Sequence, residues 1–404
     1  MKFLLKRLQK NKHLFEPGGK LERLFPLYEA QESFLFTPPE TAKGAPHVRD
    51  GLDLKRAMIT VVFALIPPTL WGIFNAGLQY NTVNQIADAS TMDHWIQGMI
   101  IVMPIILVSY IVGGIIEVAF CIIRKHEVNE GFLVTGLLFP LTLPPTIPLW
   151  QVAVGIAFGI LIGKEIFGGT GFNVLNPALT ARAFVFFAYP AQLSGDQVWT
   201  VVKDGATQID GFTGATPLAV AANVPDGQSV IAALNEAGFT WATMFGGAMG
   251  GSIAETSVIP ILIGAAILIA LGIGSWRIMV GGVIGLIAGA SLLNLLPADN
   301  FSPFTQLPFY YHLVMGSFAF GIVFMATDPV SAAATTTGKW IYGIMIGLLA
   351  VIIRVANPAF PEGIMLAILF MNVMAPMIDH YVLQGHIRKR QADIKARRIS
   401  YATS

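Results

Sequence analysis

The chain has 404 residues, 54% of them hydrophobic and only 12% charged, so most of its length cannot present a polar exterior to water. A single cysteine, Cys121, excludes an intrachain disulfide, a four-cysteine iron–sulfur cluster and a C-x-x-C-H haem attachment within this polypeptide. The formal net charge of +1 conceals an uneven spread: 11 Lys/Arg precede residue 57, 6 follow residue 387 and 8 serve everything between, so both ends read as cytoplasmic.

Residues 1–56 form a basic arm without the apolar core and small-residue cleavage site of a signal peptide, so this N-terminus should be retained. Apolar runs then predict membrane segments near 57–78, 98–123, 131–142, 150–167 and 174–190. Five more follow near 257–275, 278–296, 311–326, 340–355 and 363–383. Between the two groups lies a loop, 191–256, whose only basic residue is Lys203, which places it in the periplasm. Arg124, Lys125, Lys164, Arg277 and Lys339 fall on the cytoplasmic side, and a basic tail, 384–404, closes the chain there.

Two segments are too short to cross comfortably, and they share a pattern. G-F-L-V-T-G-L-L-F-P-L-T-L-P at 131–144 and G-S-F-A-F-G-I-V-F-M-A-T-D-P at 316–329 place Gly, Gly, Phe, Thr and Pro at the same five positions. Trp150 and Trp340 open the next apolar runs, and N-P-A follows at 176–178 and at 357–359. This predicts a duplicated unit of five spans, 57–190 and 257–383. An odd number of spans turns the second copy upside down. The expected fold is therefore an all-α polytopic membrane protein of about ten transmembrane helices in two inverted five-helix repeats, with broken or half helices at 131–144 and 316–329. Each Thr-x-Pro terminates a helix, the Thr satisfying carbonyls that Pro frees. Repeated in register, the breaks line a cavity.

Few strongly polar residues lie inside the predicted spans: Glu117, Glu165, Asn173, Asn176, Arg182, Asp328, Arg354 and Asp379. Glu117 follows Gly113 and Gly114, where an opened backbone beside a buried acid would admit a ligand; alternatively it reaches toward Arg124 or pairs with Arg182. Glu165 marks a helix end and Asp379 an interfacial charge. Asn173 and Asn176 carry amides suited to a flavin or nucleobase edge, although Asn-Pro also opens helices. Phe184, Phe186 and Phe187 form an aromatic cluster that either packs at the interface or stacks a ring. G-G-T-G at 168–171 lacks the G-K-[ST] of a phosphate-binding loop, and no His spacing suits a haem or catalytic metal. The 191–256 loop contains D-G-F-T-G-A-T at 210–216, which its residues alone read as a solvated Gly-containing turn before Pro217.

F-E-P-G-G-K at 15–20, D-L-K-R at 53–56, E-V-N-E-G-F at 127–132, G-G-T-G, L-N-P-A, T-G-A-T and M-A-T-D-P-V-S at 325–331 give that turn another meaning. Over essentially its whole length the chain resembles the NqrB/RnfD family, membrane subunits of Na⁺-translocating NADH:quinone reductases and of related ferredoxin:NAD⁺ reductases. The resemblance implies that a flavin transferase joins FMN through its phosphate to Thr216, the final residue of a motif matched by Asp210, Thr213, Gly214, Ala215 and Thr216. It further implies a non-covalent riboflavin beside Asn173 and Asn176, with Asp328 nearby. Ubiquinone would lie near Gly113, Gly114 and Glu117, with Phe184 and Phe186 as further candidates, and Glu29 and Asp379 would serve Na⁺ uptake.

The implied activity is that of an inner-membrane oxidoreductase and translocase, an NADH:ubiquinone reductase (Na⁺-transporting) assembled from subunits A, C, D, E and F beside this one. Its partners are the flavin transferase, ubiquinone, Na⁺ and membrane lipid, with no nucleic acid. No side chain is required as a catalyst, because the flavins perform the redox chemistry. NADH oxidation falls to another subunit, since no G-x-G-x-x-G follows a strand here. The arm with F-E-P-G-G-K favours the NqrB branch over the RnfD branch. A solute channel or transporter would suit an inverted repeat equally, but T-G-A-T argues against it. A flavin-free structural anchor would make Thr216 dispensable.

Overall fold

The computed structural model describes residues 12–15, 18–22, 25, 28, 54–86, 88–124, 131–203, 214–297, 301–357 and 362–403, leaving aside the side chains at 54, 55 and 396–403. Among these residues there are helices and no strands. The first five membrane elements are α1 (Leu54–Val83), α2 (Thr91–Arg124), α3 (Gly131–Leu141), α4 (Leu149–Gly163) and α5 (Pro177–Ala188). Three short helices follow, α6 (Pro217–Ala222), α7 (Val230–Glu236) and α8 (Trp241–Gly246). The second group comprises α9 (Val258–Ala270), α10 (Trp276–Leu293), the broken pair α11 (Phe309–Val314) and α12 (Phe318–Phe320), α13 (Thr336–Ala356) and α14 (Ile364–Thr403). A π-helical turn, Gly321–Met325, continues α12.

Length separates these elements. Six stretches are long and apolar enough to cross: Arg56–Val83, Thr91–Arg124, Leu149–Phe167, Trp276–Leu293, Thr336–Ala356 and Ile364–Lys395. Three apolar helices are shorter, Gly131–Leu141, Pro177–Ala188 and Val258–Ala270. At about 1.5 Å per residue, the 11 residues of α3 reach roughly half the hydrocarbon thickness. Together with the broken 309–325 stretch these elements stand at the ten predicted places, and the chain is an all-α polytopic membrane protein. Side chains such as Phe63, Leu70, Ile100, Ile111 and Ile115 are exposed on its sides, where lipid replaces water as their solvent.

Breaking a helix inside lipid leaves carbonyls without donors, and each break here is met from within the protein. At the end of α3, which contains Pro140, Thr142 Oγ1 donates to the Phe139 carbonyl at 2.8 Å. The backbone N–H groups of Ala254 and Ile253 donate to Leu141 and Leu143 at 3.0 and 3.1 Å, so the segment entering α9 folds back onto the first break. In the second break Thr327 Oγ1 donates to the Val323 carbonyl at 2.6 Å. The buried Arg354 of α13 donates to the carbonyls of His312 and Met315 at 2.9 and 3.1 Å, closing the gap between α11 and α12. Gly316, with φ of +64°, turns the chain there.

Packing repeats between the two groups. α2 lies on α4 and α4 on α5, as α10 lies on α13 and α13 on α14. The α10–α13 seam is built from small residues, Gly281, Gly282, Gly285 and Gly289 facing Gly343 and Gly347. A Cβ on Gly285 would strike the Ile344 carbonyl oxygen, and one on Gly347 the Gly282 carbonyl oxygen. α9 packs against α1, and one apolar core runs through both groups.

The 191–256 segment is more than a loop. Thr216, Ser229 and Thr240 each cap a short helix, and α6, α7 and α8 bury Leu218, Val230, Leu234 and Met244 with Phe304 and Met315 in a second core. The basic tail is likewise structured, because α14 runs without a break from the last span to Thr403.

Candidate functional site

Two regions of empty space lie along the same short helices. The first, about 670 Å³, opens between the groups and is walled by Thr135 of α3, Lys164, Thr170, Asn173, Asn176 and Asp328, with Phe324 from the π turn. Three residues expected beside riboflavin thus meet in one cavity. Asn176 caps α5, its Oδ1 accepting from the N–H groups of Ala178 and Leu179 at 3.0 and 3.3 Å, while Pro177 supplies the fixed first position. The helix-opening role of Asn-Pro is therefore real, and it holds the amide at the cavity wall. Asn173 Nδ2 donates to the Leu175 carbonyl at 3.0 Å. Asp328 accepts from Val330 N and Ser331 Oγ at 3.2 and 2.7 Å, so its carboxylate orders the second break while lining the cavity. The buried Thr170 Oγ1 has no hydrogen-bond partner among the described residues.

The second region surrounds Thr216. A cleft of about 900 Å³ is lined by Thr216, Arg182, Phe186, Trp199, Asn223 and Glu362, and an adjoining one of about 410 Å³ by Thr216, Trp199, Ser252, Glu255, Ser317 and Glu362. Thr216 is half-buried, and its hydroxyl accepts from the Ala219 N–H at 3.3 Å as the cap of α6. Gly214 and Ala215 lead into it; Asp210 and Thr213 lie outside the described residues. Beneath the cleft, Arg182 of α5 sits 3.2 Å from Glu362 and 3.6 Å from Glu255. Glu362 also accepts the Ser317 N–H at 2.8 Å and the Ser317 hydroxyl. This buried junction joins the first group, through α5, to the segments that open α9 and α14.

Asn176 and Arg182 are six residues apart along α5, which sets the two regions roughly 9 Å apart along its axis. The residues expected around quinone are not brought together. Gly113 lies against the Phe132 ring, where a Cβ would come within 2.5 Å, whereas Gly114 has more room. Glu117 pairs with Lys164, not with Arg182 or Arg124: Lys164 Nζ donates to both its oxygens at 2.6 Å. Phe184 stacks on Phe158 at 4.2 Å between ring centroids, and Phe186 lines the Thr216 cleft. The two phenylalanines therefore belong to the far end of α5 from the Glu117–Lys164 pair. Glu165 does more than end a helix; it is buried in the turn after α4 and bound by Arg124 at 3.0 Å.

Asp379 reaches from α14 to the start of α13, accepting from Ala334 N, Thr335 N and Thr335 Oγ1 at 2.6, 3.0 and 2.5 Å. Glu29 lies outside the described residues. Asp379→Ala should cost about 1 kcal/mol by freeing these donors at a helix start, read as a lowered thermal midpoint in detergent. A midpoint equal to that of the unaltered protein would reject this bracing role. The sequence assigns Lys164 only to a membrane face and Thr170 only to G-G-T-G, whereas the structure buries the Lys164 side chain; Trp199, Glu255 and Glu362 carry no expected role. For Lys164 a signal existed, a cation closing an apolar run; Glu362 and Trp199 stand in connecting segments without one.

The model of the NQR2, RnfD, RnfE family matches residues 41–388. The chain belongs to this family. It is 52% identical to the B subunit of the Na(+)-translocating NADH-quinone reductase of Stutzerimonas stutzeri (strain A1501), over 95% of this chain and 98% of that protein. It is 51% identical, over the same shares, to the protein of that name from Ectopseudomonas mendocina (strain ymp). To that of Klebsiella pneumoniae (strain 342) it is 48% identical, over 97% of this chain and 99% of the relative. Within the NQR2, RnfD, RnfE family these three relatives thus share one name, that of the NADH-quinone reductase component.

Proposed function

We propose that the chain is the B subunit of a Na⁺-translocating NADH:ubiquinone reductase, set in the bacterial inner membrane with both termini cytoplasmic. In this reading it carries electrons from FMN linked to Thr216 to riboflavin and on to ubiquinone, coupled to Na⁺ export. Subunits A, C, D, E and F supply the remaining partners, and a flavin transferase loads Thr216. The observation that carries the reading is Thr216 itself: the last residue of T-G-A-T stands at the lip of a cleft walled by Trp199 and Phe186.

Both regions suit the groups assigned to them. The orphaned Thr170 hydroxyl beside the Asn173 and Asn176 amides offers polar partners for a riboflavin edge, and the indole and phenyl faces near Thr216 suit an isoalloxazine ring. When bound, the flavins supply one- and two-electron transfer. The chain's own residues do the rest: α5 fixes the separation of the two regions, Asn176 caps α5 at the cavity wall, Asp328 orders the second break, and Arg182 with its carboxylates forms the floor of the Thr216 cleft. The RnfD alternative is disfavoured by F-E-P-G-G-K and by the names of the relatives.

The test is a denaturing gel viewed under ultraviolet light. Chain produced with an active flavin transferase should fluoresce, and mass spectrometry should place FMN on the peptide containing Thr216. Thr216→Leu should lose the signal while still extracting as a monodisperse protein. A dark band and an unmodified peptide from the functioning complex would remove the proposal.

A further inference from the structure

Lys164 lines the 670 Å³ cavity and also donates to both oxygens of the Glu117 carboxylate. Its side chain is 3% exposed and that of Glu117 2%, so neither charge is served by bulk water. Close by are Glu165, whose Oε1 lies 3.8 Å from Lys164 Nζ, Arg124, which binds Glu165, and the buried thiol of Cys121. Two cations and two carboxylates thus balance on the α2–α4 side. On the cavity side the charged wall residues are Lys164 and Asp328, and Asp328 is already committed to Val330 N and Ser331 Oγ.

In a weakly polar interior an added negative charge is stabilised by a nearby cation far more than in water. Lys164 can supply this without moving far, because an ammonium carries three donors on a flexible stem. We propose that Lys164 is the counter-charge for negative charge arriving in the cavity, and that Glu117 is the resident anion that competes with that charge for the ammonium. This inference rests on the reading of the cavity as the riboflavin site. No bond is made or broken: an electron added to the cavity's occupant brings one negative charge, and the ammonium shares its hydrogen bonds between that charge and Glu117. Lys164 is accordingly a positioning residue that sets how readily the site accepts an electron, and it ties the acid expected near quinone to the residues expected near riboflavin.

The test is redox titration of the intact complex, following the absorbance of the non-covalent flavin, with Lys164→Met, Lys164→Arg, Glu117→Gln and the double variant Lys164→Met with Glu117→Gln. Lys164→Met should make one-electron reduction of that flavin less favourable by about tenfold or more, a fall of about 59 mV or more. Glu117→Gln, which leaves the ammonium to the cavity, should shift it in the opposite direction. Lys164→Arg should stay near the unaltered protein. The double variant removes both buried charges, so it retains the fold where Lys164→Met alone fails, and its potential should fall below that of Glu117→Gln. Shifts of one sign in both single variants, or none in the double variant relative to Glu117→Gln, would overturn the role of Lys164. Absence of any non-covalent flavin from the unaltered complex would instead overturn the reading on which the inference rests.

Discussion

Arg182→Met is expected to destabilise the protein by about 3 to 5 kcal/mol, the usual consequence of removing one member of a buried charge cluster. The side chains of Glu255 and Glu362 are 4% and 15% exposed and lie 3.6 and 3.2 Å from Arg182, so its loss strands the Glu362 carboxylate beside Glu255, whose carboxyl pKa is pushed up to about 8 by burial. The effect should be global, because the cluster holds α5 of the first group against the segments that open α9 and α14 of the second. Unfolding in a denaturing detergent series measures it. A second substitution, Glu362→Gln, should recover part of the loss by removing the stranded charge. An Arg182→Met protein that unfolds alongside the unaltered one would mean that the junction contributes no stability.

Gly347→Leu should be at least as damaging, with an expected cost of about 3 kcal/mol or more. Inserting side-chain volume into close packing costs roughly 1 to 3 kcal/mol where neighbours can yield. Here the neighbour is backbone: a Cβ on Gly347 meets the Gly282 carbonyl oxygen before any further carbon is added. α10 and α13 would have to separate along their seam, and in lipid no hydrophobic gain between helices offsets the lost packing. The yield of monodisperse protein after extraction reads the effect. Gly385→Leu is the control, since a Cβ on Gly385 meets nothing within 4 Å, and it should extract normally. Equal yields from the two variants would show that the seam tolerates volume.

Much of the architecture was legible because lipid allows few solutions. Apolar runs gave the ten element positions, and the paired T-L-P and T-D-P breaks gave the two interrupted places, where Thr142 and Thr327 hydroxyls do satisfy carbonyls as anticipated. The grouping of Asn173, Asn176 and Asp328 is what the family resemblance implies, and the three line one cavity. What escaped was pairing through space. Glu117 and Lys164 are 47 residues apart, and nothing in periodicity selects Lys164 over Arg124 or Arg182. Glu362 lies between α13 and α14, outside any apolar run, where nothing in the sequence marks its burial. Phe184 and Phe186 were grouped because they are neighbours in sequence. Residues two apart on a helix do not face the same way, and α5 sends one against Phe158 and the other toward Thr216. The short helices α6, α7 and α8 were hidden by the polarity of their surroundings, although Thr216, Ser229 and Thr240 are ordinary helix caps.

α14 has 40 residues, which at 1.5 Å each makes a rod about 60 Å long against a hydrocarbon layer of about 30 Å. Roughly half of it must stand clear of the lipid as a stiff mast. Its buried half carries Asn372, bonded to the Tyr342 hydroxyl, and Asp379, which grips the first turn of α13. A torque applied to the mast's outer end has no slack joint in which to dissipate, Pro376 being the only proline along its length, and so is delivered to α13 as motion of its first turn.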